Sequence, residues 1–242
     1  MPTLLDKIWE RHVVQKVGEE CLLYVDRNFV HEESTQAFET LTERRRMLRP
    51  ANNVAFCDHY APTIARERGV DGIADAEVRG MVVQLEVNAG RHKLRHFGLD
   101  HAQQGIMHVA GPELGLVLPG FIVTGSDSHT CTNGAFGAFA FGIGQSELSQ
   151  VFLTQTVWRR KPKAMRITME GLLGPGVTAK DIILDGIATI GANGGSGYAL
   201  EYAGSCVAAM SMEGRMTVCN MSIEAGAQAG MTAPDDTTLS FL

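Results

Sequence analysis

The hydrophobic and polar positions of the chain follow two periods in turn. At residues 4–14, Leu4, Leu5, Ile8, Trp9 and Val13 share one helical face, opposite Asp6, Lys7, Glu10 and Arg11, so a helix is predicted. The run CLLYVDRNFV (21–30) is predicted as a buried strand, followed by a helix capped at Ser34 or Thr35 before Gln36-Ala37-Phe38. Arg44, Arg45 and Arg46, ahead of Pro50, read as a solvated helix end. NVAFCDH (53–59) is an apolar strand ending in polar residues, and the charged stretch 65–97 predicts outer helices. Phe121-Ile122-Val123 predicts a strand running into the polar turn GSDSHT. The small apolar residues 134–144 predict a tightly packed helix start behind that turn, with a helix continuing over 146–158.

Arg159-Arg160-Lys161-Pro162-Lys163 interrupts the pattern and is the best candidate boundary, dividing a first domain (1–160) from a second (161–242). A strand over 164–171 and a helix over 177–191 capped at Thr178 follow. The glycine-rich loop 191–197 and a further strand or helix pair complete the chain. Strands alternating with helices predict an α/β class with a largely parallel sheet.

Composition narrows the function. The chain has 242 residues, 45% apolar and 20% charged, which suits a packed core and excludes a disordered chain. A net charge of −6 argues against general nucleic-acid or anionic-membrane binding. The longest uncharged stretch, 128–146, carries His, Asn and several Gly and does not read as a membrane span. The first residues, MPTLLDKIWERHVV, contain no apolar signal region, so the cytoplasm is the expected location. The cysteines stand at 21, 57, 131, 206 and 219 with no C-x-x-C spacing, which suggests neither a disulfide framework nor a zinc ribbon.

Three histidine-bearing segments are candidates for chemistry. Asp58-His59 closes a predicted strand, where a carboxylate can orient and tune an imidazole; alone, the dipeptide also fits a surface turn. His108 lies in an apolar run, where a histidine is usually a satisfied core residue. Asp127, Ser128 and His129 place a carboxylate, a hydroxyl and an imidazole on one turn at a strand end, an arrangement that also suits a helix cap. Such adjacent residues cannot form a hydrolytic triad alone, and neither a G-x-S-x-G elbow nor a phosphate-binding glycine motif is present. Asn220 and Glu224, four residues apart, would share a face on a helix, as a polar site wall or simply a solvated face.

Taken together, CDH at 57–59, GIMH at 105–108, DSHT at 127–130 with the glycine-rich stretch after it, SMEGRMTVCNMSIEAGAQAG at 211–230 and APDDTT at 233–238 resemble the aconitase superfamily. Within it, the resemblance is to the large subunits of 3-isopropylmalate dehydratases. It implies three-layer αβα domains and a hydro-lyase that moves water across a carbon–carbon double bond of a hydroxy-dicarboxylate. A [4Fe–4S] cluster acts there as Lewis acid. The resemblance also implies leucine biosynthesis, with 2,3-dimethylmalate, citraconate and homoaconitate as rival substrates. Carried over by position, it pairs Asp58 with His59, Asp127 with His108 and Glu224 with His129. Ser128, Asn220 and Gln36 become substrate- or cluster-contacting residues.

The departures are as informative. The superfamily's three cluster cysteines lie in a G-S-C-T-N-like segment and a C-x-x-C, and neither is found here. The expectation is therefore a truncated large subunit with no metal ligands of its own. The missing C-terminal half and a small subunit carrying the swivelling domain would be its partners. A non-catalytic remnant of the same fold is the alternative, and RNA binding is disfavoured by the acidic balance.

Overall fold

A computed structural model describes residues 2–242. Helix α1 (Leu4–His12) starts at Thr3, whose hydroxyl accepts from the Asp6 amide while the Asp6 carboxylate accepts from the Thr3 amide. Strands β1 (Val13–Val17) and β2 (Glu20–Tyr24) form an antiparallel hairpin. The run 21–30, expected as one strand, breaks at Val25-Asp26, and β3 (Arg27–Val30) enters a different sheet. The Asp26 carboxylate accepts from the His12 ring at 2.7 Å and the Ile122 amide at 2.7 Å, which pins the chain at the break.

The chain continues through α2 (Thr35–Glu43), β4 (Asn53–Phe56), α3 (Ala76–His92), β5 (Arg95–Phe97), α4 (Met107–Glu113), β6 (Ile122–Gly125), β7 (Phe139–Gly142), α5 (Gln145–Thr154) and β8 (Thr156–Arg160). β8 pairs with β2 and completes a small antiparallel sheet. The main sheet has the order β5-β4-β3-β6-β7, all parallel. The chain moves outward from β3 to β5, then returns to β6 beside β3. The order therefore switches between β3 and β6, which opens a crevice at the carboxyl ends of those strands.

Strand alternation sorts side chains onto two faces. Val30, Ala55, Ile122, Phe139 and Phe141 pack with Leu5, Trp9, Phe38, Leu85 and Phe152, from α1, α2, α3 and α5. Phe29, Val54, Phe56, Val123 and Ala140 pack with Met107, Phe136, Ile183, Leu200 and Val218 on the other side. The expected α/β class with helices covering a parallel sheet is what the chain adopts.

Several local expectations differ from the structure. Residues 134–144 contain no helix start; they hold the end of a 3-10 turn (Ser128–Phe136) and β7. The alternation of Phe139, Ala140 and Phe141 between the two faces demands a strand there. Residues 95–97 form β5 rather than helix. The helix expected to reach 158 ends at Thr154, where Gln155 takes φ +57° and turns the chain into β8.

The remaining elements are β9 (Lys163–Thr168), α6 (Ala179–Ile190), β10 (Tyr198–Ala203), α7 (Ser205–Ala208), α8 (Met212–Asn220), β11 (Ala229–Thr232) and α9 (Asp236–Phe241). They build a separate parallel sheet of order β11-β10-β9 but share apolar packing with the main sheet through the 3-10 turn. A Cβ on Gly134 would overlap the Gly230 carbonyl oxygen, so only glycine allows this approach. The buried Arg215 guanidinium donates to both Asp235 oxygens at 2.7 Å and ties α9 to α8. Among the described residues no helix is long and apolar enough to cross a membrane.

Candidate active site

The ends of three neighbouring strands assemble the site. β3 stops at Val30, β4 at Phe56 and β6 at Gly125. The next residues, His31-Glu32, Asp58-His59 and Asp127-Ser128-His129, therefore emerge together at the switch point. Gly142 makes room for the third segment: a Cβ there would lie 2.6 Å from the Asp127 carbonyl oxygen.

Asp127 is the hub. Its Oδ1 accepts from His108 Nε2 at 3.0 Å and from the His129 amide at 2.6 Å, and its Oδ2 from His59 Nε2 at 3.0 Å. The cap suggested by the sequence and the imidazole partner are thus the same carboxylate. Asn133 Nδ2 donates to His108 Nδ1 at 3.5 Å. Burial opposes the Asp127 charge, but hydrogen bonds from His108 and His59 prevail and hold this carboxyl well below the usual carboxylate range. The same bond to Asp127, against the opposing effect of burial, raises His59 to about 9. At neutral pH the pair is imidazolium and carboxylate.

Asp58 and His59, the pair expected from the sequence, stand at ion-pair distance but share no hydrogen bond. Asp58 Oδ1 stands 3.8 Å from His59 Nδ1, beyond a hydrogen bond. Adjacent residues on a turn diverge. His59 reaches Asp127, while Asp58 Oδ2 accepts from the Met107 amide at 2.9 Å and secures the start of α4, which carries His108. Burial pushes the Asp58 carboxyl up.

His129 Nε2 lies 3.0 Å from Glu224 Oε1, and Ser128 Oγ lies 3.2 Å from His129 Nδ1 on the exposed rim. Asn220 and Glu224 do not share a helix. α8 ends at Asn220, Glu224 belongs to a 3-10 turn (Ile223–Ala225), and Asn220 Nδ2 donates to Thr132 Oγ1 at 2.9 Å. A cavity of about 420 Å³, lined by Ile106, His108, Val109, Thr132 and Asn220 among others, opens beside this rim. Gln36 is apart: exposed on α2, it lines a groove of about 460 Å³ with Thr40, Arg44, Gln145 and Ser149, away from the imidazoles.

Sequence reasoning missed His31 and Glu32. The signal was a histidine beside a carboxylate at a strand end, the pattern used for Asp58-His59. His31 is buried and stacks on His59, with ring centroids 4.2 Å apart and planes 11° apart. Burial lowers its proton affinity; Nδ1 accepts from the Glu33 amide and Nε2 has no protein partner.

Ligand atoms of His31, Glu32 and His59 lie within 4.8 Å of one another. They do not make a metal site, because the nitrogen lone pairs of stacked rings run side by side rather than converging on one ion. The Glu32 oxygens are also occupied by backbone amides. Nor do the cysteines suit a cluster held by three thiolates. All five are buried, and among the described residues no three come within reach of a common ion. Burial pushes the Cys131 thiol up to about 12 and raises Cys57 and Cys219 as well, so these sulfurs stay protonated.

Histidines and carboxylates converging at the carboxyl ends of a parallel sheet can carry protons to and from a small anionic substrate. The chain matches the aconitase family (aconitate hydratase) over residues 6–242, and it belongs to that family.

Proposed function

We propose that the chain supplies the acid–base side of a hydro-lyase acting on 2- and 3-isopropylmalate, as in leucine biosynthesis. The carrying observation is Asp127 between His59 and His108, at 3.0 Å from each. Dehydration removes a proton from carbon and expels hydroxide from its neighbour, so it needs one group to accept a proton and another to give one. His59, held as imidazolium, suits donation to the departing hydroxyl and attraction of a substrate carboxylate. His108, oriented through Nε2 by Asp127, and His129, oriented by Glu224, suit proton relay. Ser128 and Asn220 offer polar contacts at the rim. 2,3-Dimethylmalate, citraconate and homoaconitate make the same acid–base demands and are the alternative substrates.

The family typically binds a [4Fe–4S] cluster. Since this chain's thiols do not fit one, we assign the thiolates to the C-terminal half of the large subunit, which contains C-x-x-C and can be supplied as a companion polypeptide, working with a small subunit. Anaerobic treatment of this chain alone with iron and sulfide is expected to leave no stoichiometric cluster by metal and sulfide analysis. Adding the companion and the small subunit should produce the unsaturated dicarboxylate from 2-isopropylmalate. Turnover by this chain alone would overturn the division of labour. No turnover by the assembled, cluster-loaded complex on any of the four substrate types would favour a non-catalytic remnant, the reading supported by the buried thiols.

A further inference from the structure

We propose that Glu32 is a positioning residue: its buried carboxylate ties down the turn at Asp58–Tyr60 and so sets the His59 imidazole against Asp127. Glu32 Oε1 accepts from the amides of Asp58 at 2.8 Å and Tyr60 at 3.4 Å, and Oε2 accepts from the His59 amide at 3.3 Å. Three consecutive amides thus converge on one carboxylate, which makes the turn a small anion-binding nest filled by the protein's own side chain.

The Glu32 side chain is 0% exposed. Burying a carboxylate is costly unless hydrogen bonds compensate it; here three backbone amides do, and an apolar residue in its place would leave them unpaired. What the carboxylate adds is geometry. It links the end of β3 to the end of β4, while the amide of the preceding residue, His31, donates to Ser126 Oγ at 3.3 Å and links the same point to the end of β6. The His31 ring on the face of His59 restricts the imidazole from the other side. The three strand ends are thereby held in one register, with His59 Nε2 directed at Asp127. Asp127, Asp58, Glu32, His31 and Tyr60 are the titratable groups facing this ring.

The proposal builds on the acid–base reading of the site, but its test needs no turnover. The His59 ring titration is followed by NMR in the full chain and in two variants. Glu32→Gln replaces one accepting oxygen with a donor; Glu32→Asp keeps the charge but loses reach. Both are expected to lower the His59 midpoint by about one unit or more while leaving His12, at the other end of the sheet, unmoved. If Glu32→Asp keeps the parent midpoint while Glu32→Gln lowers it, Glu32 acts through charge alone and the proposal fails. It also fails if neither variant moves His59.

Should both variants misfold, the parent protein gives the answer. The amide signals of Asp58, His59 and Tyr60 should follow one titration shared with the Glu32 carboxyl carbon, and independent titrations would overturn the proposal. An inactive assembled complex with these shifts intact would refute the hydro-lyase reading and leave the positioning role standing.

Discussion

Two histidine–aspartate pairs sit at opposite ends of the central strands. His12 and Asp26 meet at 2.7 Å just before β3 begins, whereas His59 and Asp127 meet at 3.0 Å just beyond the ends of β4 and β6. At the amino end every contact is internal: His12 Nδ1 donates to the Ile8 carbonyl at 2.7 Å, and Asp26 also accepts from the Ile122 amide. That pair fastens α1 to the sheet. At the carboxyl end one carboxylate serves two imidazoles, and the His59 side chain is 34% exposed. The His12 pair is structural because both its ring nitrogens are consumed by the fold, whereas the His59 ring keeps access to solvent.

The largest expected effect breaks the carboxyl-end pair. In the assembled complex, Asp127→Asn should lower the rate of 2-isopropylmalate dehydration by about 10²–10⁴-fold, the usual scale for general acid–base groups. Asp26→Asn should leave that rate within about two-fold but lower stability by roughly 1.5–3 kcal/mol in denaturant unfolding, the scale for a charge-assisted hydrogen bond. If Asp26→Asn also abolishes turnover in a folded protein, the contrast between the two ends is wrong.

Both pairs make stability depend on pH. Burial disfavours the His12 charge, yet the hydrogen bonds to Asp26 and the Ile8 carbonyl, with the Asp26 charge, together outweigh it and raise His12 above its ordinary value. A raised histidine contributes stability that is complete below the unfolded value of about 6.5 and is lost as pH climbs through the folded value. For His59 that window runs from the unfolded value of about 6.5 to the folded value of about 9. Asp127, depressed, contributes above the unfolded value of about 3.9 and loses its contribution as pH falls through the folded value. Thermal unfolding should therefore occur at progressively lower temperature from pH 6.5 to 9. His59→Gln should flatten the upper part of that decline, and an unchanged profile would separate His59 from Asp127.

The smallest effect sharpens the boundary of the site. Gln36→Ala, on the separate groove between α2 and α5, should change stability by less than about 0.5 kcal/mol and leave turnover unchanged. A large rise in KM would bring Gln36 back among the substrate contacts.

Much of this was legible in the chain. The 3.6-residue period of α1 and α6 and the polar residues closing β4 and β6 are local patterns that read directly. The helix expected behind the DSHT turn was not legible, because small apolar residues fit either a helix or a fully buried strand; the packing of Phe139 and Phe141 against Trp9 decided for β7. The sequence by itself determined which residue types stand at the ends of β4 and β6; how the apolar positions of β7 divide between the two faces came from the packing. The family resemblance anticipated two partnerships, His108 with Asp127 and His129 with Glu224. That His59 hydrogen-bonds Asp127 rather than its neighbour Asp58 was decided only in three dimensions. Pattern along a chain reports local geometry. Hydrogen-bond partners depend on which strand ends the sheet brings side by side, and on glycines such as Gly142 and Gly134 that let backbones approach closely.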